Sequence, residues 1–275
     1  MTLDVEHVEP GVARIRMSSV AGRVVGYDAS AYVLDGIVVD TGFRRAREAF
    51  GEAISALGVR AAVITHWHED HAGNVPMLAR SGMPMVLHPG TEAILRAPPD
   101  VPAYRRIVWG QPEQLEGDVS RPDTAPLRVI HAPGHTADHQ VVWHAERGII
   151  ATGDLFLGVK VRHAHRTESP RMLVQSLRMV AALEPRLLLD AHRGVIENPV
   201  PLVRAKIDWL EETYHLVFGD AVEFDEGHVT MSSPIGRALL GKAVGEVAFL
   251  KLPTIVRKLE ITRLRTIHDL KEDEL

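Results

Sequence analysis

The stretch Ile64-Thr65-His66-Trp67-His68-Glu69-Asp70-His71-Ala72-Gly73-Asn74 places four possible metal ligands within six positions. It follows a short apolar run typical of a buried strand and precedes a segment with helical spacing. In an extended turn, residues at i and i+2 point the same way, so His66 and His68 can share one ion. Asp70 and His71, one step further on, can then face a second ion. The stretch therefore predicts a metal site in a loop between a strand and a helix.

Histidine is also the unusual feature of the composition. The 275 residues include 15 His, against 6 Phe, 4 Trp and 4 Tyr. Hydrophobic residues make up 45% and charged residues 24%, which is ordinary globular usage and excludes disorder, collagen and coiled coil. Cysteine is absent, which excludes disulfides, thiolate metal sites, iron–sulfur clusters and cysteine nucleophiles. Because histidine is the commonest metal ligand, its excess supports a metal-dependent function.

Charge and hydropathy indicate where such a protein acts. The formal net charge is -5, so no overall basic field attracts nucleic acid. The start, MTLDVEHVEPG, has no basic segment followed by an apolar one, and we expect no secretory signal. No run approaches about 20 uninterrupted apolar residues, the length that spans a membrane. We therefore expect a cytoplasmic protein with no membrane partner.

The order of the segments predicts the architecture. Short β-branched segments such as 12–17 and 30–36 come first, and strand–helix alternation follows. This order favours an α/β sandwich with two sheets inside and helices outside. Residues 97–126 are rich in Pro, Gly and charge, and we interpret them as a surface excursion. We expect a catalytic domain over 1–218 and a mostly helical extension over 219–275.

The histidine-rich stretch resembles the metallo-β-lactamase superfamily of metal-dependent hydrolases. The signature His-x-His-x-Asp-His is complete, and the resemblance extends over roughly residues 10–215. Four further positions match in the family's order: Asp40 in VVDTG, His135 in APGHTADH, Asp154 in ATGDLF and His192 in LLDAHRG. The resemblance implies an αββα sandwich.

The resemblance also implies a ligand set for two divalent ions, with zinc as the default and iron or manganese as alternatives. The implied first set is His66, His68 and His135, the second is Asp70, His71 and His192, and Asp154 bridges them. A hydroxide between the metals would be the nucleophile, and Asp70 would also assist proton transfer. Asp40 would support the metal-binding loop without binding metal itself.

Positions at which this sequence differs from relatives of known activity reduce the range of reactions that we expect. His68 in place of Glu disfavours the diiron oxygen-reducing relatives, and the lack of cysteine excludes lactamases with a cysteine ligand. Asp154 fits thioester hydrolases, lactonases, phosphodiesterases and nucleases. His192 follows Asp190-Ala191 instead of the commoner Pro-Gly, which leaves the shape of the pocket open. We expect a hydrolase of a small ester, lactone or thioester. The alternatives are a phosphodiesterase or endoribonuclease, a mononuclear iron dioxygenase of persulfides, and a catalytically silent binding module.

Five residues are candidates for substrate contact. Those after the bridging aspartate can clamp an anionic group, although a solvated loop is the alternative. His88 begins a loop after a strand, and its alternative is a structural role. The candidates are Arg162, His163, His165, Arg166 and His88.

Tyrosine and the residues between ligands give further expectations. The lactonase relatives carry a tyrosine near the bridging carboxylate, and here Tyr27 or Tyr104 would have to replace it in space. Between the ligands, we expect Trp67 to pack and Glu69 to face solvent.

The C-terminal stretch is similar to the degraded winged-helix tail of the lactamase-β-2-like subgroup. Its LPTIVRKLEITRLR run is basic, which makes RNA an alternative partner to a small-molecule substrate. The other interpretations are a helical lid and a dimer arm, the latter implying a homodimer.

Overall fold

The computed structural model of the chain describes residues 1–20, 22, 27–161, 167–217, 245–251 and 256–260. The chain divides into two compact units, Met1–Trp209 and Leu210–Leu275. The domain boundary expected from the sequence, between 218 and 219, lies outside the described residues.

Two sheets form the centre of the first unit. The first sheet has the strand order β1-β2-β3-β4-β5-β6, antiparallel up to β4 and parallel from β4 to β6. Its strands are β1 Thr2–Glu9, β2 Val12–Ser18, β3 Ala29–Leu34, β4 Ile37–Val39, β5 Ala61–Val63 and β6 Met85–Val86. The second sheet has the order β11-β10-β9-β8-β7, and only the β9–β10 pair is parallel. Its strands are β7 Leu127–His131, β8 Gln140–His144, β9 Ile149–Gly153, β10 Leu187–Asp190 and β11 Gly194–Glu197.

Helices lie between and after these strands. A 3-10 turn, Arg44–Ala46, leads into the first of them. The helices are α1 Arg47–Ala56, α2 Val75–Arg80, α3 Pro89–Arg96, α4 Ala103–Val108, α5 Pro170–Ala182 and α6 Val200–Val217.

Alternation along the strands separates two layers of core. Val39 and Val63 pack between the sheets with Leu189 of β10, whereas Val38 and Ala62 face the opposite side. That opposite side of the first sheet packs against apolar residues of α1 and α2, including Phe50, Val75 and Leu78. On the second sheet, α5 buries Leu173, Leu177 and Val180. A strand with both faces covered is predominantly apolar. β4 and β5 are apolar throughout, and β9 and β10 are fully buried and depart from this pattern only at Thr152, Gly153 and Asp190. The αββα sandwich is confirmed.

Parallel strand pairs bring the loops that follow them to one edge of the sandwich. β4 and β5 are parallel, and so are β9 and β10, so their carboxyl ends lie at common edges. Hydrogen bonds join the two sheets there: Gln140 N donates to Thr65 O at 2.7 Å, and Ser30 N donates to Ala191 O at 2.8 Å. The loops after β4, β5, β9 and β10 are therefore held together.

Three expectations about elements differ from the structure. Strand β1 was missed because most of its side chains are exposed, which leaves little apolar signal. Residues 97–126 are more than a surface excursion, because they contain α4 and the buried Trp109. In the second unit, β12 Val247–Lys251 and β13 Val256–Glu260 pair as an antiparallel hairpin, so the helical expectation is wrong for these residues. Val247 and Phe249 in β12 and Val256 in β13 are of types that favour strands.

Within the described ranges, no helix is both long enough and apolar enough to cross a bilayer.

Candidate metal centre

Seven side chains from four loops converge at the carboxyl-end edge of the sandwich. The loop after β5 supplies His66, His68, Asp70 and His71; His135 follows β7, Asp154 follows β9, and His192 follows β10. Their donor atoms form two groups, within each of which all atoms lie within 4.8 Å of one another. The structure thus brings together every ligand position inferred from the sequence.

The first group consists of His66, His68, His135 and Asp154. His68 Nδ1 lies 2.9 Å from His66 Nε2 and 3.1 Å from His135 Nε2. His135 Nε2 lies 3.4 Å from Asp154 Oδ2. For metal–nitrogen bonds of about 2.0–2.1 Å, neighbouring donors of a tetrahedral zinc site are roughly 3.3 Å apart. The observed spacing is therefore compatible with one ion.

The second group consists of Asp70, His71 and His192. Asp154 Oδ1 lies 3.1 Å from both His71 Nε2 and His192 Nε2. Asp70 Oδ2 lies 3.5 Å from His192 Nε2 and 4.0 Å from His71 Nε2. Asp154 therefore turns one carboxylate oxygen to each group.

Four of the histidines are oriented through their outer ring nitrogen. His71 Nδ1 donates to Asp40 Oδ2 at 2.8 Å, and His135 Nδ1 donates to Glu168 Oε1 at 2.9 Å. The two others make their contacts with backbone or hydroxyl oxygen: His192 Nδ1 lies 2.6 Å from Asp28 O, and His66 Nδ1 lies 3.0 Å from Thr65 Oγ1. Each contact turns Nε2 toward the centre. Metal-binding histidines are held in this way.

Asp40 makes hydrogen bonds to both ends of the histidine-rich loop. Its carboxylate accepts a hydrogen bond from Thr65 N at 2.7 Å and from the Thr65 hydroxyl, in addition to that from His71. Its backbone has φ 65°, a left-handed conformation that is uncommon outside glycine. Asp40 thus joins the start and the end of the histidine-rich loop.

The electrostatics of the centre match a cation-binding role. Burial, followed by the neighbouring histidines, holds the pKa of His66 well below its ordinary value, which keeps a neutral donor. Burial also lowers the pKa of His192, but Asp154 and Asp70 outweigh it and raise that pKa to about 9. Burial raises the pKa of Asp154, whereas His71 and His192 together hold it well below its ordinary value. Asp154 is therefore an anion that attracts protons or metal.

Two buried atoms test whether a metal fits. Among the described residues, the buried atoms His71 Nε2 and Asp154 Oδ1 lie 3.1 Å apart, but neither makes a hydrogen bond of acceptable geometry to the other or to a further group. Buried polar atoms normally have one, so such atoms need an explanation. A divalent ion between these nitrogen and carboxylate donors would supply it, and the donor set suits zinc, iron or manganese.

Sequence reasoning missed the residues that tie the outer loops together. Asp190 accepts hydrogen bonds from His192 N at 2.9 Å and from Leu157 N at 2.7 Å, so it joins the loops of two ligands. This contact explains why Asp190 stands before the last histidine. Lys206 on α6 is buried and donates to the carbonyls of Phe156 and Gly158. In the sequence, a single lysine on an otherwise apolar helix face was the feature that could have indicated this buried contact.

The residues between and beside the ligands differ in part from expectation. Glu69 is 5% exposed and pairs with Arg105, so the expectation that it faces solvent is wrong. Its side chain is covered by α4, which the sequence had not revealed. Tyr27 places its hydroxyl 3.3 Å from His192 Nε2, and its ring lies 5.5 Å from Trp109. Tyr104 is 65% exposed.

The candidates for substrate contact are less well defined. The side chain of His88 accepts a hydrogen bond from Gly90 N at the start of α3, and its ring stacks on His131 at 4.8 Å. Its role in substrate binding stays a prediction. Arg162, His163, His165 and Arg166 lie outside the described residues.

Comparison with known proteins adds relatives with a named activity. The chain is 32% identical over 74% of its length to an atrochrysone carboxyl ACP thioesterase from Aspergillus fumigatus, and covers 63% of that protein. It is 29% identical over 71% of its length to a protein of the same name from Paecilomyces divaricatus, and covers 59% of it. The chain thus spans about three fifths of the length of these curated relatives.

Solved structures show the same fold at lower identity. A metallo-β-lactamase from Erythrobacter litoralis matches with a TM-score of 0.57 at 22% identity, over 76% of this chain and 96% of that one. A metallo-β-lactamase family protein from Thermus thermophilus matches with a TM-score of 0.60 at 19% identity, over 77% of this chain and 83% of that one.

Family models match two parts of the chain. The C-terminal part of the transcription elongation factors GreA and GreB matches residues 203–266, a minor part of the chain from which we assign no function. The metallo-β-lactamase superfamily matches residues 25–192, which include all seven donors. The chain belongs to the metallo-β-lactamase superfamily.

Proposed function

We propose that this chain is a two-metal hydrolase that cleaves a thioester. The observation that carries the proposal is Asp154, whose two carboxylate oxygens face two separate groups of donors. The relatives named as thioesterases support the substrate class among the esters, lactones and thioesters expected from the sequence. Zinc is the default ion, with iron or manganese as alternatives.

Each group of residues would have a separate task. The ions, when bound, would polarise the acyl carbonyl and lower the pKa of water toward neutrality. The first group would hold one ion and the second group the other, with Asp154 shared. Asp40 and Glu168 would keep His71 and His135 oriented, which fixes the donors before substrate arrives.

Hydrolysis itself requires few further groups from the protein. The oxygen of water bonds to the acyl carbon and the carbon–sulfur bond breaks. The products are a carboxylate and a thiol, and the second proton of water is released to solvent. Asp70 faces the second group and is placed to accept the proton of water and pass it to the leaving sulfur. Burial, with the nearby carboxylates, raises the pKa of Tyr27, so its hydroxyl stays protonated and can donate a hydrogen bond to substrate.

The alternatives rest on parts of the chain with less support. Phosphodiester or RNA hydrolysis was based on residues 162–166 and on the basic C-terminal run, most of which lies outside the described residues. A mononuclear iron dioxygenase needs one ion per chain. A second donor group beside the first favours two ions.

The test is a substrate panel on chain loaded with defined metal. Acyl-pantetheine thioesters, oxygen esters of the same acyl groups, lactones, a phosphodiester and short RNA are compared at equal metal content. We expect thioesters to be cleaved with the highest kcat/KM and two metal equivalents to be required. Asp70→Ala should lower kcat/KM by more than about 100-fold, beyond what changes outside the ligand shell usually cause. Asp4→Ala, at an exposed surface pair, is the matched control. Turnover of thioesters by metal-stripped protein would refute the mechanism.

A further inference from the structure

A buried ion pair lies on the outer side of the second donor group. Arg105 Nη2 is 2.6 Å from Glu69 Oε2 and 3.8 Å from Asp70 Oδ1. The side chain of Arg105 is 11% exposed and that of Glu69 is 4% exposed. Burying such charges is unfavourable unless they are paired and well placed, so the pair calls for an explanation.

The contacts of Asp70 separate its two oxygens. Oδ1 faces the guanidinium of Arg105, whereas Oδ2 faces His192 Nε2 at 3.5 Å and His71 Nε2 at 4.0 Å. A carboxylate held in this way presents one oxygen to the centre and keeps the other turned away. Partners outside the ligand shell commonly orient metal-binding carboxylates.

The negative charge of Glu69 reduces the electrostatic cost of placing the guanidinium of Arg105 beside the second donor group. A guanidinium close to a divalent ion would repel it, and at short range in a partly buried site that repulsion is substantial. Glu69 neutralises Arg105, so the pair orients Asp70 without adding net positive charge. Glu69 directly precedes Asp70 in sequence, and the carboxylates of both residues face the guanidinium of Arg105.

The position of Arg105 is set by the helix that carries it. Trp109, directly after α4 and one turn beyond Arg105, packs on Phe43 at 5.0 Å between ring centroids. Arg45 N donates to Trp109 O at 3.3 Å, and the Arg45 side chain donates to Arg106 O at 3.3 Å. These contacts hold α4 against the segment before α1, so the guanidinium has little freedom to leave Asp70.

We propose that Arg105 is a positioning residue that orients Asp70 and thereby sets the affinity of the second donor group for its ion. The inference rests on the proposed function only in that the centre binds two divalent ions. Among the described residues, the ion pairs of Arg105 are with Glu69 and Asp70, neither of which belongs to the first group. The effect on metal affinity is therefore selective for the second group.

The experiment measures each metal site separately in the full-length, metal-stripped chain. A His68→Ala background reports binding at the second group, and a His192→Ala background reports binding at the first. Each is titrated with Co²⁺, followed by its visible absorption, and with Zn²⁺ by calorimetry. In the first background, Arg105→Met should weaken binding by about 10- to 100-fold. In the second, it should change binding by less than about 3-fold, since Arg105 does not contact that group.

Matched variants separate orientation from other effects. Arg96→Met removes an arginine that pairs with Glu92 on α3, and should leave both sites unchanged. The double variant Arg105→Met/Glu69→Gln removes the pair without leaving a buried carboxylate unpaired, and should stay weak at the second group. If it regains the affinity of its background, the loss in Arg105→Met comes from the unpaired Glu69 and the proposal fails.

The remaining outcomes are equally decisive. Equal weakening at both groups, no weakening at either, or no ion bound at the second group of the His68→Ala chain would overturn the inference. Selective weakening in a chain that cleaves no thioester would support the inference while refuting the proposed function.

Discussion

Replacing Lys206 by methionine should remove a pH dependence of stability that only a buried amine produces. Lys206 is 2% exposed on α6, and its amine donates to Gly158 O at 3.2 Å and to the carbonyl of Phe156. Burial lowers its pKa from 10.5 to about 8, against the opposing influence of Glu168, Asp190 and Asp154. The native chain thus releases this proton at a lower pH than the unfolded chain does.

The sign and size of the effect follow from proton linkage. Between pH 8 and pH 10.5 the unfolded state keeps the proton and the native state has lost it. Because the unfolded state binds more protons in this window, the free energy of unfolding rises with pH. At about 1.4 kcal/mol per pKa unit, the shift amounts to about 3 kcal/mol over the whole window, to order of magnitude. Below pH 8 both states hold the proton, and the dependence ends.

The assay is urea unfolding of the metal-free chain, followed by tryptophan fluorescence, from below pH 8 to pH 10.5. The wild-type free energy of unfolding, minus that of Lys206→Met, should increase by about 3 kcal/mol across this range. Taking the difference removes the contribution of other groups that titrate there. The exposed Lys160→Met is the control and should give a flat difference. A flat difference for Lys206→Met as well would show that its amine keeps an ordinary pKa, and would refute the reasoning.

Three further predictions concern Asp40 and Glu168, which contact histidines of the two donor groups, and Gly73 in the histidine-rich stretch. Asp40→Asn keeps the shape of the side chain but weakens its hydrogen bond with His71. Total metal affinity, measured by calorimetry, should therefore fall by about 10- to 100-fold. The circular dichroism spectrum should be unchanged. Glu168→Gln should weaken only the first donor group, through His135, and an equal effect on both groups would contradict this assignment. Gly73→Ala should lower the free energy of unfolding by about 1–3 kcal/mol, because its Cβ would lie 2.4 Å from Glu69 O and 2.7 Å from Arg44 N. A thermal unfolding temperature equal to that of the wild type would contradict the close approach.

The ligand positions were accessible from sequence because metal chemistry restricts which residues serve. Histidine and aspartate at the spacing of His66, His68, Asp70 and His71 have few uses other than metal binding. Their place between a strand and a helix agreed with the apolar pattern around them. The order of Asp40, His135, Asp154 and His192 then fitted a family whose fold brings those loops together.

The elements that were missed lack an apolar signal of their own. Strand β1 is an edge strand whose side chains are mostly exposed, and its apolar contacts with the core are made by the partly buried Leu3 and Val8. Helix α4 has no buried apolar residue within its own bounds, and its neighbourhood is rich in proline. Its place in the structure is determined by Trp109 and Arg105, whose partners are distant in sequence.

The residues that orient the proposed ligands could not be predicted from the sequence, for a different reason. His192 is oriented by the backbone carbonyl of Asp28, 164 positions earlier, and any residue type would supply that carbonyl. Glu168 is 33 positions after His135, in a stretch with no motif that marks it. A ligand must be one of a few residue types, whereas a residue that orients it need only reach it with a hydrogen-bonding atom. Sequence therefore indicates which residues are candidate metal ligands, whereas the contacts that hold them, such as Arg105–Asp70, are defined only by the folded chain.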